Sequence, residues 1–120
     1  MIIVAIDETN FDNASKIVNN LDPKKCMIKI GSIAFNSIGE RIISYSYNKG
    51  FDIFLDLKLH DIPNTVHNSI KGLISMPIKM LTIHTSGGKD MMKAAMDAVS
   101  GTEIKVIGVT ALTSLNDKDM

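Results

Sequence analysis

Two opposite charges lie two residues apart within an apolar segment of this sequence. Asp56 and Lys58 occupy even positions of the run Phe51–Leu59, in which every odd position is apolar. Because side chains alternate along a β-strand, both charged groups would project from the same face. A buried carboxylate and a buried ammonium cost on the order of several kcal/mol each unless they are paired, and perturbed charges gather at functional sites. The spacing therefore predicts a buried charged pair that can polarise a substrate and donate a proton.

Further polar residues stand at or just after the carboxyl ends of the apolar segments. They are Asp7, Lys29, Asp61, His84 and Thr110. Asp7 and Lys29 would add one negative and one positive charge to the pair formed by Asp56 and Lys58. Alternating charges keep lysines protonated and carboxylates ionised despite burial. A network of this kind would expose a bound substrate to a strong, fixed electric field.

The elements that would position these residues recur at a regular spacing. Five apolar runs predict β-strands, and they begin roughly 25 residues apart, the length of one strand, one helix and two short loops. These runs are Ile2–Ile6, Cys26–Ile30, Phe51–Leu59, Lys79–His84 and Ile104–Val109. The chain is therefore a succession of βα units.

The segments between the strands have the apolar periodicity of helices. The apolar positions of the four predicted helices lie in Phe11–Leu21, Ile33–Ile43, Val66–Ile74 and Met91–Val99. Pro63 would begin the third helix, with Asn64 as its cap. In the fourth helix we expect Met91, Met92 and Met96 to form part of the core.

Alternating β and α units require a parallel sheet with right-handed crossovers. Two α/β architectures satisfy this pattern. One is a five-stranded doubly wound sheet, which about 120 residues would complete. The other is a (β/α)8 TIM barrel, which needs roughly 200 residues or more, so that this chain would stop just after the fifth strand. Both architectures place their functional groups at the carboxyl ends of the strands.

The composition excludes several classes of protein. Hydrophobic residues make up 45% of the 120 positions and charged residues 22%, which is typical of one globular domain or part of one. Thirteen basic residues balance thirteen acidic ones, so we expect no binding to nucleic acid or to a membrane. Cys26 has no possible internal disulfide partner. With no signal or membrane-spanning segment in the sequence, we expect a cytoplasmic protein.

The segment Asp56–Thr65, which reads DLKLHDIPNT, resembles the D-x-K-x-x-D signature of the orotidine 5′-phosphate decarboxylase family in its H-D-I-P-N-T form. Shorter motifs of the family are matched by Ala5–Asp7, Ile28–Gly31, His84–Gly88 and Val109–Ser114. The resemblance implies a (β/α)8 TIM barrel, of which the chain would hold about the first four and a half βα units. Residues 1–120 would then be the N-terminal portion of a single decarboxylase domain.

The resemblance also implies an activity, the conversion of orotidine 5′-phosphate to uridine 5′-phosphate in the last step of de novo pyrimidine biosynthesis. Lys58 would protonate C6 of the pyrimidine after carbon dioxide leaves. Asp56 would lie beside the scissile carboxylate, and Asp61 and Lys29 would complete the charged array. The family uses no metal and no organic cofactor.

Substrate binding and assembly are implied in the same way. The implied substrate-binding residues are Asp7, Lys29, Asp56, Leu57, Lys58, Leu59, His60, Asp61, Ile62, Pro63, Asn64, Thr65 and Thr113. Asp7 and Lys29 would hold ribose hydroxyls, and Thr113 would contact the base. Asp61, Ile62 and Thr65 would enter the site of a neighbouring subunit, which implies a homodimer with shared active sites. The phosphate-binding residues would follow Met120, so we expect no meaningful turnover from residues 1–120 alone.

Two alternative functions remain open from the residues. A decarboxylase acting on 3-keto-gulonate 6-phosphate would share D-x-K-x-x-D, although not the I-P-N-T that follows it. A response-regulator receiver domain has a doubly wound fold and would accept a phosphoryl group on Asp56 beside Mg²⁺. Receiver domains have acids after strand 1, an aspartate after strand 3, a hydroxyl after strand 4 and a lysine after strand 5. Similar positions here are occupied by Asp7 and Glu8, Asp56, Thr85 and Lys105. Lys58, next to the phosphorylated residue, would compete with the metal there.

Overall fold

Five parallel strands form one sheet in which each strand lies beside the strand that precedes it in the sequence. The computed structural model describes residues 1–110, and within them the sheet order is β1-β2-β3-β4-β5. All four pairings are parallel. The strands are β1 (Ile2–Ala5), β2 (Cys26–Gly31), β3 (Ile53–Leu59), β4 (Met80–His84) and β5 (Lys105–Val109).

Helices connect each strand to the next. They are α1 (Phe11–Asn19), α2 (Ser32–Ile38), α3 (Glu40–Asn48), α4 (Pro63–Leu73) and α5 (Gly88–Ala98), the last preceded by a 3-10 turn over Thr85–Gly87. Because every crossover advances in the same direction, right-handed connections place the helices on one side of the sheet. None of these helices is long and apolar enough to cross a membrane.

The strand order separates the two architectures that the sequence allows. A doubly wound sheet reverses direction, so that its first strand lies inside the sheet with helices on both faces. Here the order runs from β1 to β5 without reversal among the described strands, as in the wall of a (β/α)8 barrel. The predicted TIM-barrel fold is confirmed. The alternative prediction, the doubly wound sheet that a receiver domain requires, is wrong.

The second predicted helix is divided in two. Gly39 has a φ of 77° and lies between α2 and α3. With ψ at −153° this backbone conformation is essentially restricted to glycine, and it ends α2 and starts α3 at a new angle. The single helix predicted over Ile33–Ile43 is therefore wrong. The predicted cap of α4 is wrong as well, because Ile62 is the N-cap and Asn64 lies in the first turn after Pro63.

The core lies between the sheet and its helices. On α5 the fully buried residues are Met91, Ala95 and Ala98, at helical spacing. Met92 is partly buried against this core. Met96, by contrast, is 56% exposed, so the expectation that it belongs to the core is wrong. The small alanines allow α5 to approach its neighbours closely, and Met96 falls on the opposite side of that stripe.

Candidate active site

A β-bulge interrupts β3 at the residues that carry the charged pair. Leu55 pairs with Leu81, but Leu59 pairs with Ile83. Three residues of β3, numbered 56 to 58, therefore lie opposite a single residue of β4. A bulge bends the strand and redirects its side chains, and bulges are frequent beside active sites.

Lys58 adopts a left-handed backbone conformation inside this bulge. Its φ is 49°, the sole positive value for a non-glycine residue between positions 1 and 110. For a residue with a β-carbon this conformation costs about 1–2 kcal/mol. The Lys58 N–H, displaced from the sheet ladder, donates to Thr82 Oγ1 at 2.8 Å. The neighbouring strand thus satisfies the backbone group that the bulge sets free.

Asp56 lies at the centre of the charged cluster. Its Oδ2 is 3.1 Å from Lys58 Nζ and 3.5 Å from Lys29 Nζ, and its Oδ1 accepts a hydrogen bond of 2.8 Å from Thr82 Oγ1. The Asp56 side chain is only 10% exposed. Three neighbouring strands, β2, β3 and β4, therefore converge on one buried carboxylate near their carboxyl ends.

These contacts decide the charge that Asp56 carries. Burial raises the pKa of the Asp56 carboxyl, but the hydrogen bonds from Thr82 and Lys58 and the positive charges of Lys58 and Lys29 together hold the pKa below its usual value. Asp56 is thus ionised at neutral pH. The Asp56 anion therefore contacts two lysines, whose ammonium groups are available to attract an anionic substrate.

Lys58 is less buried than its sequence pattern predicts. Its side chain is 50% exposed, so the expected full burial is wrong. The reason is its position within the bulge and one residue from the end of β3, where the sheet opens to solvent. The ammonium nevertheless points at Asp56, and Lys29, 33% exposed, approaches the same oxygen from β2.

A pocket of about 130 Å³ opens onto this cluster. It is lined by Asp7, Lys29, Gly31, Ser32, Ile33, Asp56 and Lys58. Asp7, just after β1, is exposed on its wall. Small-molecule sites usually measure roughly 300–1,000 Å³, so the pocket formed by residues 1–110 accommodates part of a nucleotide rather than a whole one.

The rest of the signature segment lies away from the cluster. Asp61, Ile62, Pro63, Asn64 and Thr65 are all exposed. The Asp61 carboxylate accepts a hydrogen bond from the Ile62 N–H at 2.7 Å and forms no ion pair with a lysine of the described residues. Leu57 and Leu59 are partly buried. The structure therefore brings together Asp56, Lys58, Lys29 and Asp7, but it does not add Asp61 to them within one chain.

Two histidines link the loops that follow β3 and β4. The rings of His60 and His84 are stacked, with centroids 5.4 Å apart and planes inclined by 18°. Ser86 Oγ lies 2.6 Å from His84 Nδ1, which also accepts the Ser86 N–H. The stacking of His60 on His84 places the residue that follows β3 against the end of β4. Thr113, expected to contact a base, lies outside the described residues.

Thr82 is a member of the cluster that is not predicted from the sequence. It is 1% exposed and contacts both Asp56 and Lys58. The available signal was a hydroxyl inside an otherwise apolar strand, two residues before His84 and therefore on the same face. This signal for a functional residue is weak, because threonine is common in strands for the shape of its β-branched side chain alone.

Comparison with known protein families gives a match over the whole chain. The model of the orotidine 5′-phosphate decarboxylase / HUMPS family matches residues 1–120. Orotidine 5′-phosphate decarboxylase from Saccharophagus degradans is 42% identical over 121 residues, which are 99% of this chain and 51% of that protein. The enzyme of the same name from Ehrlichia canis is 46% identical over 119 residues, 99% of this chain and 52% of that one. The chain thus spans about half the length of these relatives.

Solved structures agree with the sequence relatives. The crystal structure of orotidine 5′-phosphate decarboxylase from Lactobacillus acidophilus matches with a TM-score of 0.86 and 40% identity, over 98% of this chain and 55% of that one. Orotidine 5′-monophosphate decarboxylase from Methanocaldococcus jannaschii, complexed with the inhibitor BMP, matches with a TM-score of 0.83 and 29% identity, over 91% and 51%.

Proposed function

The chain belongs to the orotidine 5′-phosphate decarboxylase / HUMPS family, and from this premise we propose that its protein converts orotidine 5′-phosphate to uridine 5′-phosphate in pyrimidine biosynthesis. The observation that carries the proposal is the buried Asp56 carboxylate paired with both Lys58 and Lys29. The curated relatives above share the decarboxylase name, which favours this substrate over 3-keto-gulonate 6-phosphate.

The first chemical step is loss of carbon dioxide from the pyrimidine. The bond between C6 and the carboxyl carbon breaks, and its electron pair remains on C6 in the plane of the ring. No adjacent group of the ring delocalises this pair. A fixed ammonium close to C6 stabilises the developing charge better than one that must reorient, because its position is set before the reaction. The bond to Asp56 supplies that fixed position for Lys58.

The second step is protonation of C6. A proton moves from Lys58 Nζ to C6 and forms the new C–H bond of uridine 5′-phosphate, which leaves the lysine neutral. The half-exposed side chain then recovers a proton from solvent, so that one proton is consumed for each carbon dioxide released. Partial exposure of Lys58 is therefore compatible with its role as the acid.

Asp56 and Lys29 control the charge around the reacting carboxylate. Asp56 stays ionised and holds Lys58 in place, while Lys29 offsets the negative charge that the substrate brings. Repulsion between Asp56 and the substrate carboxylate would also raise the energy of the bound state. We rank this repulsion second, because catalysis by ground-state destabilisation is contested.

The remaining binding residues complete the proposal. Asp7 and Lys29, which line the pocket, would hold ribose hydroxyls, and Thr113 would contact the base. Asp61, Ile62 and Thr65 would reach the site of a second subunit in a homodimer. The exposure of all three side chains is compatible with such contacts, because it leaves them accessible to a second chain.

We further propose that the reaction needs no metal or organic cofactor, because side chains of this cluster supply both the fixed charge and the proton. A cytoplasmic location is proposed on the single cysteine, Cys26, which gives the chain no internal disulfide of the kind found in oxidising compartments.

The test uses the protein expressed from its complete gene. We expect conversion of orotidine 5′-phosphate to uridine 5′-phosphate, followed by the fall in orotate absorbance and confirmed by release of labelled carbon dioxide. The same preparation should leave 3-keto-gulonate 6-phosphate unchanged. Turnover of the sugar phosphate with no turnover of the nucleotide would refute the proposal.

A further inference from the structure

Asp56, Lys58 and Thr82 form a closed ring of hydrogen bonds. The Lys58 N–H donates to Thr82 Oγ1 at 2.8 Å, and the Thr82 hydroxyl donates to Asp56 Oδ1 at 2.8 Å. The ring closes through Lys58 Nζ, which donates to Asp56 Oδ2 at 3.1 Å. The ring connects two strands, because Asp56 and Lys58 lie on β3 and Thr82 lies on β4.

The directions of these bonds are fixed by chemistry. A hydroxyl has one proton to donate and two lone pairs to accept with. An ionised Asp56 can only accept, so it takes the proton of Thr82, and the lone pairs of Thr82 then receive the Lys58 N–H. Neither bond competes with the other. A valine at this position has nearly the same shape but can make neither bond.

The ring also explains how a strained lysine is held. Lys58 has a φ of 49°, and the bulge removes its N–H from the sheet ladder. A buried, unpaired N–H is costly, and Thr82 provides its acceptor. Because the backbone direction at Lys58 sets where its side chain starts, the same contact determines where the ammonium stands relative to Asp56.

We propose that Thr82 is a positioning residue of the reaction, whose hydroxyl orients the Asp56 carboxylate and holds Lys58 in the left-handed conformation that aims its ammonium at the reacting carbon. The inference rests on the proposed function for its catalytic consequence, but the geometry it assigns to Asp56 does not depend on the substrate. Thr82 acts through Asp56 and Lys58 and is not itself a proton donor to the substrate.

The kinetic test compares Thr82→Val with Thr82→Ser in the protein expressed from its complete gene. Valine should lower kcat on the order of 10- to 100-fold, the effect of misplacing a catalytic group by about an ångström, with little change in KM. Serine keeps the hydroxyl and should restore most of kcat. A serine variant as slow as the valine variant would overturn the proposal.

Ser46→Ala is the matched control. Ser46 is fully buried on α3, and its hydroxyl has no hydrogen-bond partner within residues 1–110. Removing this hydroxyl should leave kcat unchanged. An equal loss of kcat in this variant would mean that any buried hydroxyl has the same effect, and it would overturn the specific role of Thr82.

A spectroscopic test separates this inference from the proposed function. Carbon-13 NMR of the side-chain carboxyls, with Asp56 assigned by its absence in Asp56→Asn, gives the pKa of Asp56 directly. Thr82→Val should raise that pKa because a hydrogen bond to the ionised form is lost, whereas Thr82→Ser should leave it near the wild-type value. An unchanged pKa in the valine variant would refute the inference. A wild-type protein without decarboxylase activity would refute the proposed function, while this measurement would still decide the role of Thr82 toward Asp56.

Discussion

Lys29 Nζ lies 3.5 Å from Asp56 Oδ2 and joins β2 to β3 through the same oxygen that receives Lys58. Asp56 Oδ2 thus contacts two ammonium groups, and Asp56 Oδ1 accepts a hydrogen bond from Thr82 Oγ1. The pocket thus has two lysines beside the buried Asp56 anion, with Asp7 on its wall as a second acid. An anionic substrate entering there would meet attraction from the lysines and repulsion from Asp56 at once.

Replacement of Lys58 tests its role as the acid. In the protein from the complete gene, Lys58→Ala should lower kcat by roughly 100- to 10,000-fold, because the proton donor is lost. Loss of the fixed charge would add to this effect. The measurement is steady-state decarboxylation, with binding of uridine 5′-phosphate followed by calorimetry to show that the site remains folded.

The matched control for this substitution is Lys79→Ala. Lys79 is also a half-exposed lysine in an ion pair, 3.2 Å from Asp52, but it lies just before β4, at the opposite end of the sheet from the cluster. An exposed pair of this kind contributes about 0–1 kcal/mol to stability, so kcat should not change. Equal losses in both variants would show that Lys58 has no special part in the chemistry.

The stability of the protein should depend on pH through Asp56. Its folded-state pKa is depressed below the usual value of 3.8, so the unfolded state takes up a proton first as the pH falls. The stabilisation from Asp56 is therefore present above the unfolded pKa and is lost as the pH falls through the folded pKa. Urea unfolding of wild type and Asp56→Asn should differ at pH 7, and the difference should shrink below about pH 4. A constant difference down to pH 2 would contradict this assignment.

Local periodicity was enough to predict the strands but not their order. The apolar runs place β2 and β4 within one residue of their observed ends, because a buried parallel strand needs continuous apolar residues. The same periodicity fits a doubly wound sheet and a barrel equally well. The order β1 to β5 is decided by pairings between distant residues, which no local pattern contains.

The pairing of Asp56 with Lys58 was also predictable from local periodicity, but the backbone geometry of the pair was not. Alternation along a regular strand brings Asp56 and Lys58 to one face, and the structure does pair them. The residue types give no sign that Lys58 is left-handed or that β3 is bulged. The hydrogen-bond acceptor of the Lys58 N–H, Thr82, is 24 residues away in sequence and reaches it only when β3 and β4 pair.

Gly39 is a position where backbone conformation alone should control stability. Its φ of 77° disfavours any residue with a β-carbon, although nothing lies within 4 Å of the position such a carbon would take. Gly39→Ala should therefore destabilise the protein by about 1–3 kcal/mol through backbone strain rather than a clash. Thermal or urea unfolding measures the change.

Gly72→Ala is the natural comparison for that variant. Gly72 lies in the last turn of α4, where its φ is not positive and its surroundings are equally open. Alanine is favoured over glycine by up to about 1 kcal/mol in a helix, so this substitution should stabilise the protein. A gain in stability in both variants would contradict the backbone strain assigned to Gly39.

The proposed sharing of active sites between two subunits can be tested by mixing inactive variants. Lys58→Ala and Asp61→Ala each disable a group of the proposed charged array, and each homodimer should have little activity. If Asp61 of one subunit completes the site that contains Lys58 of the other, a mixed dimer has one site with both substitutions and one site with neither. Equal mixing would then restore about a quarter of wild-type activity, since half of the dimers are mixed and each has one intact site of two. The mixture is refolded together and assayed for decarboxylation. No gain over the separate variants would place Lys58 and Asp61 in the same subunit's site, because a mixed dimer would then contain one substitution in each of its two sites.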